Sequence, residues 1–573
     1  MSKPVNLGPW TKGINNSARS YALPIGSKDN PGWACADALN VDFTDQGFAV
    51  RRAGYSQTQP MLVGHSLATV GSKTFLCQSG ELGVVTAVNP LAITALRTGL
   101  SEDYISYASL GGDTWWSNGT ESGRCDSGNS DYPWSVPTPL DIPLVVVGAG
   151  AMYPGKYRVA ISHVTSSGEE GAASGINEVD MPAAGSITIT LPAARAGVSH
   201  FRIYCTASDG EILQHYSDVV ANAAVAIIGS TPEGKSIDDR AFLTPLPAGD
   251  IVAIHNARLM SAKGTDLYYS KPYDFGLCDQ MANRITLPDN ITIVAPCEGG
   301  VFIGTTAKTY FFAGNDIAES VVYEKLPTGA VKGTAFHHPD GKSVGWFGED
   351  GFVIGGPDGS IATPQRDKGF IPPRAITGNT FVRTIAGETH LVCSLDGSVR
   401  YDNEVSSDFA TAIDRYSDDA STVCMNLANG ATSRYSNWHF TSHAKFGDEY
   451  YGMDSTGLRL LEGNTDEFVP SVAAIEVGTV GMADMQICSP EFIYVSGKSS
   501  SPLVIDIWLP DGTVYSYPSR SYSEDIKVQR HDGFKGLMNK RQSRFVVVIR
   551  NDDGCSMEVA AVQVLIGVSA RKI

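Results

Sequence analysis

Hydrophobic and polar positions along this chain alternate over short spans, and Gly, Asp and Asn interrupt them every few residues. That is the pattern of strands and tight turns, and long amphipathic helical stretches are hard to find. A weak repeat runs through it: strand, polar turn, strand, longer connection. Seven copies are legible. In the first, 65–87, Leu67-Ala68-Thr69-Val70 meets Phe75-Leu76-Cys77 across Gly71-Ser72-Lys73. The second, 104–125, turns at Gly111-Gly112-Asp113 before Trp115-Trp116, and the third, 251–270, turns at Lys263-Gly264-Thr265. The fourth, 291–312, turns at Glu298-Gly299-Gly300. The fifth, 333–361, carries Asp340-Gly341, Asp350-Gly351 and Asp358-Gly359; the sixth, 381–401, carries Asp396-Gly397; the seventh, 437–461, carries Phe446-Gly447-Asp448. Asp-Gly suits two-residue hairpin turns, whose central positions take positive φ.

One copy cannot bury both faces of its small sheet, so copies stack, and the spacing falls within reach of a propeller repeat. The expected fold is all-β: an irregular β-propeller with an inserted β-sandwich and a C-terminal β domain. A set of unrelated β-meanders is the plain alternative. The insert, 139–245, contains the strands Gly155-Lys156-Tyr157-Arg158-Val159-Ala160-Ile161 and Ser186-Ile187-Thr188-Ile189-Thr190. Its phrases KYRVAISHVTSSGEEGAAS and HFRIYCTASDG resemble a fibronectin type III sandwich. The expected domains are an extended N-terminal segment (1–60), a first propeller part (61–138), the insert (139–245), a second propeller part (246–470) and a C-terminal β domain (471–573).

Charge and cysteine content narrow the function classes. The net charge of −18 is spread along the chain, which disfavours a grip on nucleic-acid phosphates. Ten scattered cysteines form no CxxC pair, and in so large a cored chain they read as buried free thiols. No run approaches a membrane span, and Met1-Ser2-Lys3-Pro4-Val5-Asn6 opens no signal-peptide core.

The search for chemistry yields weak candidates. His337-His338 precedes a Pro-Asp-Gly turn and has no third ligand at metal spacing, so it reads as a solvent-facing turn. Gly351-Phe352-Val353-Ile354-Gly355-Gly356 opens no helix and so cannot cradle a phosphate at a helix N-terminus. The carboxylate pairs Glu169-Glu170 and Asp418-Asp419 are adjacent in sequence. A strand would send their side chains to opposite faces and a turn would leave both facing water, so neither supplies the facing pair of a retaining glycosidase. Trp115-Trp116 fits sugar binding or, more simply, packing between blades. No catalytic, cofactor-binding or metal residue is assigned, and no cofactor is expected.

The order of segments adds one resemblance. NLGPWTKGINNSARSYALP leads into ACADALNVDFTDQGFAVRRAGYS, in the manner of phage structural proteins. DIVAIHNARLMSAKGTDLYYSKPYDFG and NITIVAPCEGGVFIGTTAKTYFFAGND, the latter with a Gly304-Thr305…Tyr310-Phe311 edge, resemble blades of the tail nozzle proteins of short-tailed, podovirus-like bacteriophages. The resemblance spans 30–135 and 250–470, and its motifs are structural. The fibronectin-like insert departs from the simplest form of that family. The resemblance implies a structural virion protein of the tail, assembled in the host cytoplasm. It implies a homo-hexameric ring below the portal and adaptor proteins that extends the DNA exit channel, helps retain packaged DNA and carries tail fibres, spikes or a plug. DNA would pass without sequence-specific binding, eased by acidic walls. A receptor-binding or glycan-processing propeller of the phage tail is the competing reading, and a cellular scaffold propeller the blandest.

Overall fold

The computed structural model describes residues 2–18, 23, 32–195, 197–237, 240–397, 421–481, 486–519, 527–532 and 544–572. The chain is all-β and divides into two compact units, the first comprising 1–102, 292–313 and 321–573 and the second 103–291 and 314–320.

Its repeating element is a four-stranded antiparallel blade. The first unit holds five such blades among the described residues: 64–97, 291–326, 336–362, 377–435 and 442–460. These are blades 1, 4, 5, 6 and 7 in chain order. The second unit holds blade 2 (106–132) and blade 3 (251–286). Each legible copy of the repeat falls on one blade over its described residues; the end of the sixth copy, 398–401, lies outside them. In blade 1, Gly64–Val70 pairs with Lys73–Gln78, setting Ala68 opposite Phe75. Gly71 takes φ +62° at that turn, a conformation open to glycine at little cost.

Blades pack face to face through shared apolar clusters. Blades 4 and 5 share Ile293, Phe302, Phe311, Trp346 and Val353. Blades 6 and 7 share Val392, Cys424, Trp438 and Phe440. Blades 7 and 1, far apart in sequence, share Tyr451, Met453, Leu67 and Leu76. In the second unit, blades 2 and 3 share Trp115, Val252 and Leu259. Within the first unit the first strands of blades 5, 6, 7 and 1 touch one another in turn, as do those of blades 2 and 3 in the second. Sheets that converge on their first strands and bury both faces against neighbours make a β-propeller.

The N-terminal residues are extended, and most of their strands find a distant partner, while Gly13–Ile14 pairs with Ala34–Cys35 and Val41–Phe43 with Ala49–Arg51. Ser2–Leu7 pairs with the last strand, Met557–Lys572. Asp37–Leu39 lies between the outer strand of blade 6 and Ala474–Gly481, so blade 6 runs on into the C-terminal strands as one nine-stranded sheet. Val41–Phe43 and Ala49–Arg51 join the facing sheet with Met557–Lys572, Gln486–Ser499 and Lys527–Asp532. Ser56–Pro60 pairs with Gly457–Leu460 and supplies the fourth strand of blade 7. One large core results, in which Trp10, Val41 and Phe43 lie among Leu391, Ile505, Val547 and Val564.

Within the second unit, residues 144–228 form two antiparallel sheets. One orders Leu144–Met152, Gly185–Thr190 and Val225–Ile228; the other is built on Gly155–Thr165 and Val198–Cys205. Tyr157, Ile161, Ile187, Ile189, Phe201 and Ile203 fill a single core between them. The clean alternation of Ser186-Ile187-Thr188-Ile189-Thr190 produces this arrangement, since period two sends both isoleucines inward.

Candidate functional site

The residues singled out in the sequence are put to structural use. Trp115 and Trp116 are buried rather than displayed to a ligand. Trp115 enters the core shared with blade 3, and Trp116 Nε1 donates to Asp131 at 3.0 Å. Neither ring is open to a sugar. Glu169 and Glu170 part company. Glu169 is exposed and pairs with Arg124 at 3.0 Å. Glu170 is half-buried and accepts from Ser162 and Tyr204 at 2.6 Å each and from Arg202 at 2.9 Å. Three hydrogen bonds take up most of the carboxylate's four acceptor positions, and Arg202 pairs with its charge, so Glu170 ties its own strands together. Asp418-Asp419 lies outside the described residues.

His337 sits at the surface, and His338 Nδ1 meets Asp340 at 3.1 Å within the Asp340-Gly341 turn. Among the described residues no three His, Cys, Asp or Glu side chains come together as a metal site. Gly351, at φ +84°, turns a hairpin, and Gln365 Oε1 accepts the Phe352 N–H beside it at 2.7 Å. The Gly304-to-Phe311 phrase is no edge but the hairpin between the two inner strands of blade 4: Thr305 Oγ1 accepts the Lys308 N–H at 3.0 Å, and Phe311 enters the core shared with blade 5. Eight of the cysteines are buried free thiols; burial pushes Cys393 up to about 12. A thiol held protonated is a poor nucleophile.

The most elaborate polar constellation belongs to the N-terminal phrase itself. Arg52 is fully buried. Its guanidinium forks onto Asp466 at 2.8 and 2.6 Å and donates to the carbonyls of Ala53 and Ser436. Nε donates to Asn40 Oδ1 at 2.9 Å. Its face lies 4.9 Å from the Trp438 ring and 5.3 Å from that of Tyr435. Asn40, at φ +53°, also accepts the Ser436 N–H and donates to Ser436 and Val472. Gly54 lies so close to the Thr465 backbone that a side chain there would collide with it. One arginine thus ties the N-terminal segment, the exit of blade 6 and the hairpin after blade 7.

A second buried group lies alongside. Asp42 accepts from Arg383 at 2.8 Å and from the Tyr435 hydroxyl. Burial alone would raise the Asp42 carboxyl, but the charge of Arg383 and the neighbouring His390 hold it below its ordinary value. Burial raises the Tyr435 phenol well above its own. Nearby, His443 is stacked on Phe381 at 4.2 Å and contacts Asn379 through Nδ1 at 2.8 Å. Burial, helped by Arg383, pushes it down to about 3. The imidazole is neutral at any ordinary pH.

These charges were hidden from sequence reading because Arg52 and Asp466 are separated by 414 residues. The one local signal was an arginine pair set inside the apolar phrase Phe48-Ala49-Val50-Arg51-Arg52-Ala53-Gly54. The arrangement suits cohesion. Every charge in it faces an opposite charge, a carbonyl or an aromatic ring.

No family model and no curated protein matches the chain. Among solved structures, it is similar to BBS1N crystallised in complex with ARL6DN, at 10% identity, over 60% of this chain and 95% of that one, with a TM-score of 0.24. Hsv2 of Kluyveromyces lactis follows at 9% identity, covering 59% and 90%, with a TM-score of 0.23. The dihydro-heme d1 dehydrogenase NirN matches at 10% identity, covering 65% and 73%, with a TM-score of 0.25. At these scores the likenesses carry no argument, and the propeller rests on the chain's own sheets and the cores they share.

Proposed function

We propose that this chain is a structural protein of a short-tailed phage virion: a tail nozzle whose copies form a ring below the portal and adaptor and extend the DNA exit channel. The observation that carries the reading is the role of the residues on which the resemblance rests. Asn40, Arg52 and Gly54 hold the N-terminal segment in place, and Thr305 and Phe311 shape the inner hairpin of a blade and its packing. Such motifs belong to a scaffold, which must stay in one piece while genomic DNA passes.

The charge of −18 supports the same reading, since DNA slides past an acidic wall without adhering. The module at 139–245 is read as a fibronectin III-like platform on which fibres or spikes dock.

Electron microscopy of the purified chain, alone and with its adaptor protein, tests the proposal. Closed rings of about six copies are expected. A monomer or trimer that binds carbohydrate under both conditions would contradict it and favour the receptor-binding reading.

A further inference from the structure

Two buried arginines hold the N-terminal segment, and they are not equally provided for. Arg52 engages every nitrogen: Nε with Asn40, Nη1 with Asp466 and the Ala53 carbonyl, Nη2 with Asp466 and the Ser436 carbonyl. Arg383, on the first strand of blade 6, is as deeply buried. Only its Nη2 is met, by Asp42 Oδ2 at 2.8 Å and by the Tyr435 hydroxyl at 3.0 Å. Nε and Nη1 are shut off from solvent and meet no acceptor among the described residues. In the fixed fork of a guanidinium, Nε carries one N–H and Nη1 carries two.

These donors cannot stay bare. Burial favours loss of the proton, but the Asp42 carboxylate holds Arg383 above its ordinary value, so the charge persists. Buried donors without acceptors are rare in folded proteins, and the loss of hydration is costliest for a charged group. The polar neighbours are committed elsewhere. The Tyr435 hydroxyl and the Cys424 thiol both turn toward Asp42 Oδ1. His443 accepts from the Trp438 indole at Nε2, at 3.3 Å, and meets Asn379 Oδ1 through Nδ1.

We infer that Arg383 holds internal water on Nε and Nη1, between the first strand of blade 6 and the N-terminal segment. Water is the acceptor that fits, since buried waters serve polar groups that protein atoms leave unpaired. An anion fits less well, because Asp42 already balances the Arg383 charge and the chain carries −18. The Asp42 side chain is 17% exposed, so the site lies beside an outlet to bulk solvent. The N-terminal segment is thus fastened by one tie that protein groups complete, at Arg52, and one that solvent completes, at Arg383. The inference stands apart from the tail-nozzle reading, since it concerns how the segment is held and not what the chain assembles into.

A high-resolution crystal structure of the full chain tests it directly. Ordered water within hydrogen-bonding distance of both Nε and Nη1 is expected. A protein acceptor in place of water at either nitrogen, or a nitrogen left bare, would overturn the inference. Crystals grown in bromide separate water from an anion: no anomalous peak is expected beside Arg383, and a peak there would overturn the assignment to water. In solution, magnetic relaxation dispersion of the water oxygen should show a loss of long-lived water in Arg383→Met. An unchanged signal in a folded Arg383→Met chain would count against the site. That variant leaves Asp42 next to solvent, so the chain is expected to fold; if it does not, the wild-type crystals decide.

Discussion

Residues 1–60 and residues 144–228 are both β, yet they are stabilised in opposite ways. The N-terminal strands have no core of their own: Ser2–Leu7, Asp37–Leu39, Ala49–Arg51 and Ser56–Pro60 pair with partners hundreds of residues away, and buried Arg52 and half-buried Asp42 hold them there. The later region fills one core from its own two sheets, and pairs such as Arg202–Asp218 sit at the surface. The difference teaches where cooperativity lies. Damage to the first region should loosen the propeller and the C-terminal sheets together, whereas damage to the second should stay local.

Arg52→Ala should have the largest effect. It strands Asp466 and Asn40 in the interior, at a cost of about 3–5 kcal/mol, read as a lower urea midpoint for the main unfolding transition. Phe201→Ala should cost about 3–4 kcal/mol by opening a cavity, but in differential scanning calorimetry it should move a separate transition of residues 144–228. If both substitutions shift one common transition, the contrast fails.

His443 gives a smaller, pH-dependent effect. Folded, it resists protonation down to about 3; unfolded, it takes a proton near 6.5. Its contribution is complete above 6.5 and is lost as the pH falls from there toward 3, by about 1.4 kcal/mol per unit. At pH 5 that is about 2 kcal/mol. His443→Gln should flatten the acid limb of a stability–pH curve by that amount; an unchanged limb would mean the imidazole is not buried neutral. Asp218→Asn should be smallest. Its partly exposed pair with Arg202 is screened, and less than about 1 kcal/mol is expected from equilibrium denaturation.

The blades were legible because their signals are local. Asp340-Gly341, Asp350-Gly351, Asp358-Gly359 and the glycine turns of blades 1 to 4 mark hairpins within a few residues. The outer strands were not. Asp131–Tyr132 and Ile361–Ala362 are two residues long, too short for any period, and the outer strand of blade 7 comes from Ser56–Pro60. The same limit applied to polar residues. Glu170 looked like half of an exposed carboxylate pair because Tyr204 and Arg202, which engage it, lie over thirty residues on. Trp115-Trp116 offered two readings, and Val252 of the first strand of blade 3, far along the chain, decided for packing.

The central structural claim is that the N-terminal segment is a working part of the propeller, fastened through Arg52. Hydrogen exchange on the full chain tests it most directly, comparing wild type with Arg52→Ala at the amides of Gly457–Leu460 and Ala474–Gly481, the strands that Ser56–Pro60 and Asp37–Leu39 cover. The account predicts that both strands lose protection together in Arg52→Ala while Val198–Cys205 keeps its own. Unchanged protection at Gly457–Leu460 and Ala474–Gly481 would contradict it.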